Sequence, residues 1–234
     1  MLDSTSPFLT STSSDYPLST ASQVCPWLMS LTYTLGHHFV LPTYFSQIQV
    51  TGLDHIPNQG PVIIAPTHRS RWDALIVPYA TGRFATGRDL RYMVTADEML
   101  GLQGWFIRKM GGFAINTKQP TIAAFRHGVS LLSQGEMLVI FPEGNIFRDN
   151  QVHCLKSGLA RLAIQAQSHS TNLPVKIVPV SLNYHPTVPR LGCQVSVKIG
   201  SALSVTKYQS CSAKKQAYSL TQDLQLALQQ LDQS

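Results

Sequence analysis

The sequence predicts a single α/β domain, in which a mixed but mostly parallel sheet is flanked by helices. Three observations support this class. Short apolar runs bounded by proline or glycine, such as 62–65 and 137–141, indicate buried strands. They alternate with longer segments of three- and four-residue apolar spacing, an alternation that is typical of α/β folds. A chain of 234 residues suffices for one sizeable domain, which we place at 47–234, and it contains no internal repeat or linker that would separate a second one.

In the first half of the domain, Ile48 and Val50 alternate with polar residues, which indicates an edge strand at 47–51. The run 62–65 lies between two prolines and indicates a buried strand. A helix is expected at 73–80. The following runs predict two strands with the opening of a short helix between them, at 91–95 (strand), 97–100 (helix) and 113–116 (strand).

In the second half, apolar residues at helical spacing predict a helix at 121–132, which Gly135 ends. The run 137–141 predicts a buried strand that Pro142 stops. The remaining patterns predict a helix at 158–166, strands at 175–182 and 195–199, and a final amphipathic helix at 213–231.

Two segments of different character precede the domain. Residues 1–23 are rich in Ser and Thr, which predicts a disordered lead-in without the pattern of a secretory signal. Residues 24–46 carry no Asp, Glu, Lys or Arg and include Trp27, Tyr33 and Tyr44, residue types that favour the membrane–water interface. We interpret 24–46 as a broken interfacial helix or helix pair lying on a membrane. A helix packed on the core and a true span, which needs roughly 20 residues, are the alternatives.

Composition narrows the classes of function. Charged residues make up only 13% of the sequence, while the net charge is +6 and the pI is about 9.3. Such a basic chain suits anionic lipid or a phosphorylated substrate. No nucleic-acid partner is expected, because recognition-helix, zinc-finger and basic-run patterns are missing. The eight histidines and four cysteines show no metal-ligand spacing, so no metal is expected and the cysteines are interpreted as reduced thiols.

A His-x4-Asp pattern, His68 and Asp73, follows the strand 62–65 and opens the helix 73–80. On one helix the two residues would lie about 140° apart and would be poor partners. Across a turn that leads into a helix they can approach, and the carboxylate can then fix the imidazole tautomer and stabilise the imidazolium. The pattern therefore predicts a general base for a hydroxyl or water, with a helix-capping role for Asp73 as the alternative.

A second polar turn, Phe141-Pro142-Glu143-Gly144, comes directly after a buried strand, where α/β folds place their sites. Pro142 stops strand pairing, and Gly144 permits a tight turn whose amides can face an anion. The carboxylate of Glu143 can accept hydrogen bonds from hydroxyl groups. An ordinary Pro-x-Gly turn is the alternative.

The two motifs in this order resemble the glycerolipid acyltransferase family of PlsC type. Residues 111–117 fall where that family has its Gly-x-x-Phe-x-x-Arg block. Lys156-Ser157-Gly158 is similar to its Lys-x-Gly element, and Val178-Pro179-Val180 matches its Val-Pro-Val strand. The resemblance extends over residues 50–185.

The resemblance implies acyl transfer from a thioester, either acyl-CoA or acyl carrier protein, to a lysophospholipid hydroxyl. The expected acceptor is 1-acyl-sn-glycerol-3-phosphate. His68 would deprotonate the hydroxyl and Asp73 would orient His68, without an acyl-enzyme and without a cofactor. The acceptor would contact Phe141, Pro142, Glu143 and Gly144. The implied location is peripheral or monotopic, on the cytoplasmic face of a membrane with anionic lipids.

Two positions depart from the family pattern, because both expected arginines are displaced. Thr117 ends the second block, with Lys118 one place later, and Ile146 follows the Phe-Pro-Glu-Gly motif, with Arg148 two places beyond. Either these basic residues reach the same phosphate or the headgroup differs. The candidates for phosphate contact are Arg69, Arg71, Lys118, Arg148 and Lys156. A different lysolipid acceptor, a thioesterase activity and non-catalytic binding of membrane lipid are the alternative functions.

Overall fold

The structure is a computed structural model that describes residues 22–115, 122–169, 173–208 and 212–233. Most of the predicted lead-in, residues 1–21, lies outside the described residues. Thr117 and Lys118 also lie outside them, so the expected phosphate contact of Lys118 stays a prediction.

One central sheet contains eight strands of the described residues: β1 Phe45–Thr51, β2 Val62–Pro66, β3 Leu90–Thr95, β4 Gly112–Ile115, β5 Met137–Val139, β6 Lys176–His185, β7 Cys193–Ile199 and β8 Leu203–Ser204. Their order is β1-β7-β6-β2-β5-β3-β4, with β8 beside β6. Neighbouring strands are parallel except for β6 with β7 and β6 with β8. The mixed, mostly parallel sheet is confirmed, and β1 lies at its edge as predicted.

Eight α-helices of the described residues accompany the sheet: α1 Pro26–Leu35, α2 Leu41–Tyr44, α3 Asp73–Thr81, α4 Arg83–Thr86, α5 Gly101–Lys109, α6 Ile122–Ser133, α7 Gly158–His169 and α8 Ala213–Gln233. A π-helical turn, Gly36–Val40, joins α1 to α2. The predicted helices correspond to α3, α6, α7 and α8 within a few residues at each end.

The helix α5 differs from the sequence prediction, which opened a helix at 97–100. The structure has a 3₁₀ turn at Ala96–Met99, and the α-helix begins only afterwards. Two glycines lower the helix propensity of this segment. Gly104 is required there, because a Cβ atom would lie 2.0 Å from the Met99 carbonyl oxygen. The leucines and aromatic residues of α5 are largely exposed, so no buried stripe marks the helix in the sequence.

Both faces of the sheet are covered, which explains why β2 is apolar at every position. Ile63 and Ala65 belong to a core formed with α6, α7 and α8. Val62 and Ile64 belong to a second core on the other face, which includes residues of α2 and α3. A strand buried on both faces gives a continuous apolar run instead of an alternating one.

The order of the strands brings the two sequence motifs to one edge of the sheet. β2 lies between β5 and β6 and is parallel to both. The carboxyl ends of the three strands therefore lie at the same edge of the sheet. His68 comes shortly after the end of β2, and the turn at 141–144 comes shortly after the end of β5. This edge is the usual position for a site in an α/β fold.

The N-terminal helical segment packs one side on the domain and exposes the other. Met29 and Leu41 are buried, as in a helix that packs on the core. Trp27, Leu31 and Phe39 lie at intervals of four or eight residues and are exposed, with Trp27 at 67%. Within the residues the structure describes, no helix has both the length and the hydropathy to cross a membrane.

Candidate active site

The carboxylate of Asp73 organises the loop between β2 and α3. Its Oδ2 atom accepts hydrogen bonds from His68 Nδ1 at 2.8 Å and from the backbone amides of Arg69 and Ser70 at 2.7 and 2.9 Å. Its Oδ1 atom accepts a hydrogen bond from the Tyr184 hydroxyl at 2.6 Å. The side chain is completely buried. Asp73 thus bonds to residues before α3 and does not cap the helix.

The imidazole of His68 is held in one orientation. Its Nδ1 atom donates to Asp73, and its ring stacks on Phe141 with centroids 4.0 Å apart. The side chain is 20% exposed. With the proton on Nδ1, the Nε2 atom carries a lone pair, which is the tautomer that a general base requires.

Glu143 lies beside His68, but its carboxylate is buried and engaged with protein donors. Its Oε2 atom accepts from the backbone amide of His68 at 2.7 Å and from Arg69 at 2.9 Å. Its Oε1 atom accepts from the backbone amide of His153 at 3.0 Å and again from Arg69. The expected contact of Glu143 with an acceptor headgroup does not fit this geometry, because no face of the carboxylate reaches solvent.

Arg69 is the buried partner of Glu143 and does not reach a surface where a phosphate could bind. Its side chain is 2% exposed and also donates to the carbonyl oxygen of Gln151 at 2.8 Å. The expected phosphate contact of Arg69 is therefore wrong in this structure. The buried ion pair between Arg69 and Glu143 instead links the His-x4-Asp motif to the Phe-Pro-Glu-Gly motif.

The rest of the Phe-Pro-Glu-Gly turn forms the floor beside His68. The Gly144 amide donates to the carbonyl oxygen of Phe141 at 3.2 Å, so it closes the turn and is not free to bind a headgroup. Gly144 has a φ of +72°, and a Cβ atom there would lie 2.6 Å from the Nζ atom of Lys156. The carbonyl oxygen of Pro142 accepts a hydrogen bond from the backbone amide of Lys156 at 2.8 Å. The Lys156 side chain consequently lies across Gly144.

Three of the basic candidates are exposed: Arg71, Arg148 and Lys156. Arg71 is 76% exposed and forms an ion pair with Glu98 at 3.0 Å. Arg148 is exposed and has no side-chain partner among the described residues. The preceding residue, Phe147, donates its backbone amide to the carbonyl oxygen of His68 at 2.8 Å. Arg148 is therefore the next residue in the chain after one whose backbone is hydrogen-bonded to His68.

Comparison with known proteins agrees with the motifs. The model of the family described as Acyltransferase matches residues 47–183. The chain belongs to this acyltransferase family. The resemblance inferred from the two motifs is thereby confirmed, and both motifs lie inside the matched region.

Several members of the acyltransferase family are similar to this chain. Mitochondrial glycerol-3-phosphate acyltransferase 1 of Sus scrofa is 29% identical, over 53% of this chain and 16% of that protein. The 1-acyl-sn-glycerol-3-phosphate acyltransferases of Streptococcus pneumoniae and Pseudomonas aeruginosa are each 28% identical, over 55% and 66% of this chain and 44% and 58% of those proteins. The chain thus spans less than two thirds of the length of these relatives.

A solved structure shows the same fold. The crystal structure of the 1-acyl-sn-glycerophosphate acyltransferase PlsC from Thermotoga maritima superposes with a TM-score of 0.65. The match covers 88% of this chain and 78% of that chain at 16% sequence identity.

Tyr184 is a residue of the site that the sequence motifs did not indicate. It lies near the end of β6, and burial together with the charge of Asp73 raises the pKa of its phenol far above the usual range. Only the strand order could have suggested it, because β6 is the neighbour of β2 and alternate residues of β6 point to the face on which Asp73 lies.

Proposed function

We propose that this acyltransferase-family protein transfers a fatty acyl group from an acyl thioester to the free hydroxyl of a glycerol phosphate lipid precursor, most specifically 1-acyl-sn-glycerol-3-phosphate, which would give phosphatidic acid. The observation that carries the proposal is the hydrogen bond between His68 Nδ1 and the buried carboxylate of Asp73. The bond leaves Nε2 of a partly exposed imidazole as a proton acceptor.

The mechanism follows from this tautomer. His68 Nε2 accepts the proton of the acceptor hydroxyl while the oxygen attacks the thioester carbonyl carbon. A C–O bond forms, and the C–S bond breaks as the tetrahedral intermediate collapses. The thiol leaves with the proton that His68 carried, so the histidine returns to its starting state. No acyl-enzyme is required, because the donor is already activated and the acceptor is itself the nucleophile.

The names of the relatives support an acceptor that contains glycerol 3-phosphate. Some are called glycerol-3-phosphate acyltransferase and others 1-acyl-sn-glycerol-3-phosphate acyltransferase, at nearly equal identity to this chain. Glycerol 3-phosphate itself is therefore the second candidate acceptor. Arg148 and Lys156 are exposed cations that follow the motif turn in the sequence, and we assign the phosphate to them.

The location of the reaction is proposed from the N-terminal helices. The proposed acceptor 1-acyl-sn-glycerol-3-phosphate and its product are membrane lipids, and the exposed side of α1 and the π-helical turn is a row of large apolar residues. Apolar burial together with a net charge of +6 favours peripheral binding to anionic lipid. The protein then presents its site at the surface of the cytoplasmic leaflet.

The test is turnover of a radiolabelled acyl-CoA, and of the same acyl group on acyl carrier protein, against four acceptor conditions. These are glycerol 3-phosphate, 1-acyl-sn-glycerol-3-phosphate, 1-acyl-sn-glycero-3-phosphocholine and no acceptor. The expected result is lipid product from a phosphomonoester acceptor and no thioester cleavage without one. Cleavage without acceptor would indicate a thioesterase, and binding to lipid without turnover would indicate a non-catalytic protein.

Variants of the two motif residues test the mechanism in the same assay. His68→Ala should lower the rate by about 10² to 10⁴, because the general base is lost. The fold should survive, since His68 is a partly exposed loop residue. Asp73→Asn should also be severely impaired, because a neutral side chain can hold the wrong tautomer of His68 and stabilises the imidazolium less. A folded His68→Ala variant with nearly normal turnover would refute the mechanism.

A further inference from the structure

Tyr184 is buried in the core on the side of the sheet that carries α3. Its hydroxyl donates to Asp73 Oδ1 at 2.6 Å, the shortest of the four hydrogen bonds to this carboxylate. The ring packs beside Phe45, with centroids 6.0 Å apart. In the antiparallel pairing of β6 with β7, Tyr184 lies opposite Val195. Its position is therefore fixed by the sheet and not by the loop that holds His68.

The two oxygen atoms of Asp73 have different partners. Oδ2 accepts three N–H groups, all from residues 68–70 of the same loop. Oδ1 has, among the described residues, one donor, the hydroxyl of Tyr184. The two oxygen atoms move together in a rotation about the Cβ–Cγ bond, so a bond to Oδ1 from outside the loop limits the rotation that the bonds to Oδ2 also oppose. The bond from Tyr184 stops this rotation and keeps Oδ2 directed at His68 Nδ1.

We propose that Tyr184 is a positioning residue for the reaction, which holds the Asp73 carboxylate so that His68 keeps the tautomer and orientation of a general base. This inference rests on the proposed acyl transfer. It adds a third member, from β6, to the pair that the His-x4-Asp motif supplies from the loop after β2. The chain His68–Asp73–Tyr184 thus links the imidazole to the rigid centre of the sheet.

The phenol acts as a fixed donor and not as an acid or base. Burial and the neighbouring charge of Asp73 hold the pKa of Tyr184 well above its ordinary value, so the hydroxyl keeps its proton throughout any assay. The titratable groups that face it are Asp73 and, through Asp73, His68, together with the buried thiol of Cys193.

The test compares Tyr184→Phe with Tyr92→Phe. Both remove one hydroxyl from a tyrosine of the same sheet, but the Tyr92 hydroxyl is buried without a partner among the described residues. Tyr184→Phe should lower kcat roughly 10- to 100-fold, the loss typical of a misplaced catalytic group. The KM values of both substrates should change less than about twofold, since the hydroxyl touches neither. Tyr92→Phe should behave as the unaltered protein.

Two readouts separate positioning from a purely structural role. The acid limb of the kcat/KM profile of Tyr184→Phe should move to lower pH, because a carboxylate that is no longer held against Nδ1 stabilises the imidazolium less. In an Asp73→Asn background, Tyr184→Phe should cause little further loss, because the two residues act through one contact. A structural role would instead give independent losses and an unmoved profile.

The inference can fail separately from the proposed function. If the unaltered protein transfers acyl groups and folded Tyr184→Phe matches it in kcat and pH profile, only the role of Tyr184 is overturned. A proton NMR measurement does not depend on activity. The low-field resonance of the His68 Nδ1 proton should be present in the unaltered protein and shifted or lost in Tyr184→Phe. An identical resonance in both proteins would overturn the inference even if no substrate were turned over.

Discussion

The carboxylate of Glu143 accepts a hydrogen bond from the backbone amide of His68 at 2.7 Å. A side chain of the Phe-Pro-Glu-Gly motif is therefore hydrogen-bonded to the backbone of the His-x4-Asp motif. The same carboxylate neutralises buried Arg69 and accepts the backbone amide of His153. We infer that Glu143 holds the His68 loop in place.

The first prediction concerns Glu143→Gln. The substitution leaves the Arg69 charge buried without its counter-charge, which costs about 3–5 kcal/mol for a buried pair. The expected result is a clear loss of stability in urea unfolding, with a lower kcat because the His68 backbone loses its support. The measurement is the urea midpoint together with steady-state kinetics under conditions where the variant is folded.

Glu98→Gln is the matched control for that variant. Glu98 pairs with Arg71, two residues after Arg69, but the pair is exposed. Its loss should cost less than about 1 kcal/mol. If Glu143→Gln raised only the acceptor KM, with kcat and stability unchanged, Glu143 would contact the headgroup and the bracing role would be wrong.

The sequence allowed prediction of those parts of the fold that bury a periodic or continuous apolar surface. β2 is apolar at each position because both faces of the sheet are covered, and α6 has an apolar stripe because it packs on one face. The sequence places the start of the helix α5 too early, because its large apolar residues, such as Leu102 at 86% exposure, face outward. Periodicity predicts burial, so an exposed helix leaves little signal.

The site was predictable only where it is local in sequence. His68 and Asp73 are separated by one turn, so their approach could be judged from helix geometry. The sequence does not indicate whether the Glu143 carboxylate faces solvent or the backbone, because its orientation depends on the pairing of β2 with β5. The contact from Tyr184 depends likewise on the position of β6 beside β2. Strand order is a property of the whole chain and is not encoded in either motif.

The second prediction tests whether the exposed apolar residues of the N-terminal helical segment bind membranes. Trp27, Leu31 and Phe39 are exposed, and each large apolar side chain gains about 1.5–3 kcal/mol when it is fully buried in lipid. The triple serine variant at these positions should bind vesicles of anionic phospholipid at least roughly tenfold more weakly. Flotation or sedimentation with the vesicles measures the bound fraction.

The control for the membrane test is a serine variant of Tyr218 and Leu226, exposed apolar residues on α8. It should bind vesicles as the unaltered protein does. Substitution is preferable to deletion of residues 24–46, because Met29, Tyr33 and Leu41 are buried in the domain. Equal weakening in both variants would show that apolar exposure in general, and not the N-terminal row, governs binding.

The third prediction concerns pH and His37, which stacks on Tyr79 with ring centroids 4.6 Å apart. Burial, and secondarily the charge of His38, lowers the pKa of His37 below its ordinary value of 6.5. The unfolded chain then binds a proton at a higher pH than the folded protein does, so stability falls as the pH drops from about 6.5 toward the lowered pKa. His37→Phe should remove this loss while retaining the stacking.

The measurement is the melting temperature at pH 7.5 and pH 5. The advantage of His37→Phe over the unaltered protein should be larger at pH 5. His37→Gln serves as the control, because it abolishes the titration but also the ring stacking. It should melt lower than His37→Phe at both pH values and show the same reduced sensitivity to acid. An advantage of His37→Phe that did not change with pH would assign the effect to packing alone.

The last prediction tests whether Arg148 and Lys156 bind the acceptor phosphate. Arg148 is exposed, has no side-chain partner among the described residues, and follows Phe147, which is bonded to the His68 carbonyl. Lys156 lies across Gly144 on the same floor. If the acceptor phosphate binds here, Arg148→Ala removes one charge-assisted hydrogen bond, worth about 1.5–3 kcal/mol. The apparent KM for a phosphomonoester acceptor should rise roughly 10- to 150-fold, with a smaller change in kcat.

The comparison acceptor is one without a phosphomonoester, such as a monoacylglycerol, on which Arg148→Ala should have little effect. Arg161→Ala, at an exposed arginine on α7, controls for the loss of one positive charge and should leave both KM values unchanged. An equal loss on both acceptors would assign Arg148 to the thioester donor or to the loop. An unchanged KM in Arg148→Ala, together with a raised KM in Lys156→Ala, would assign the phosphate to Lys156 and not to Arg148.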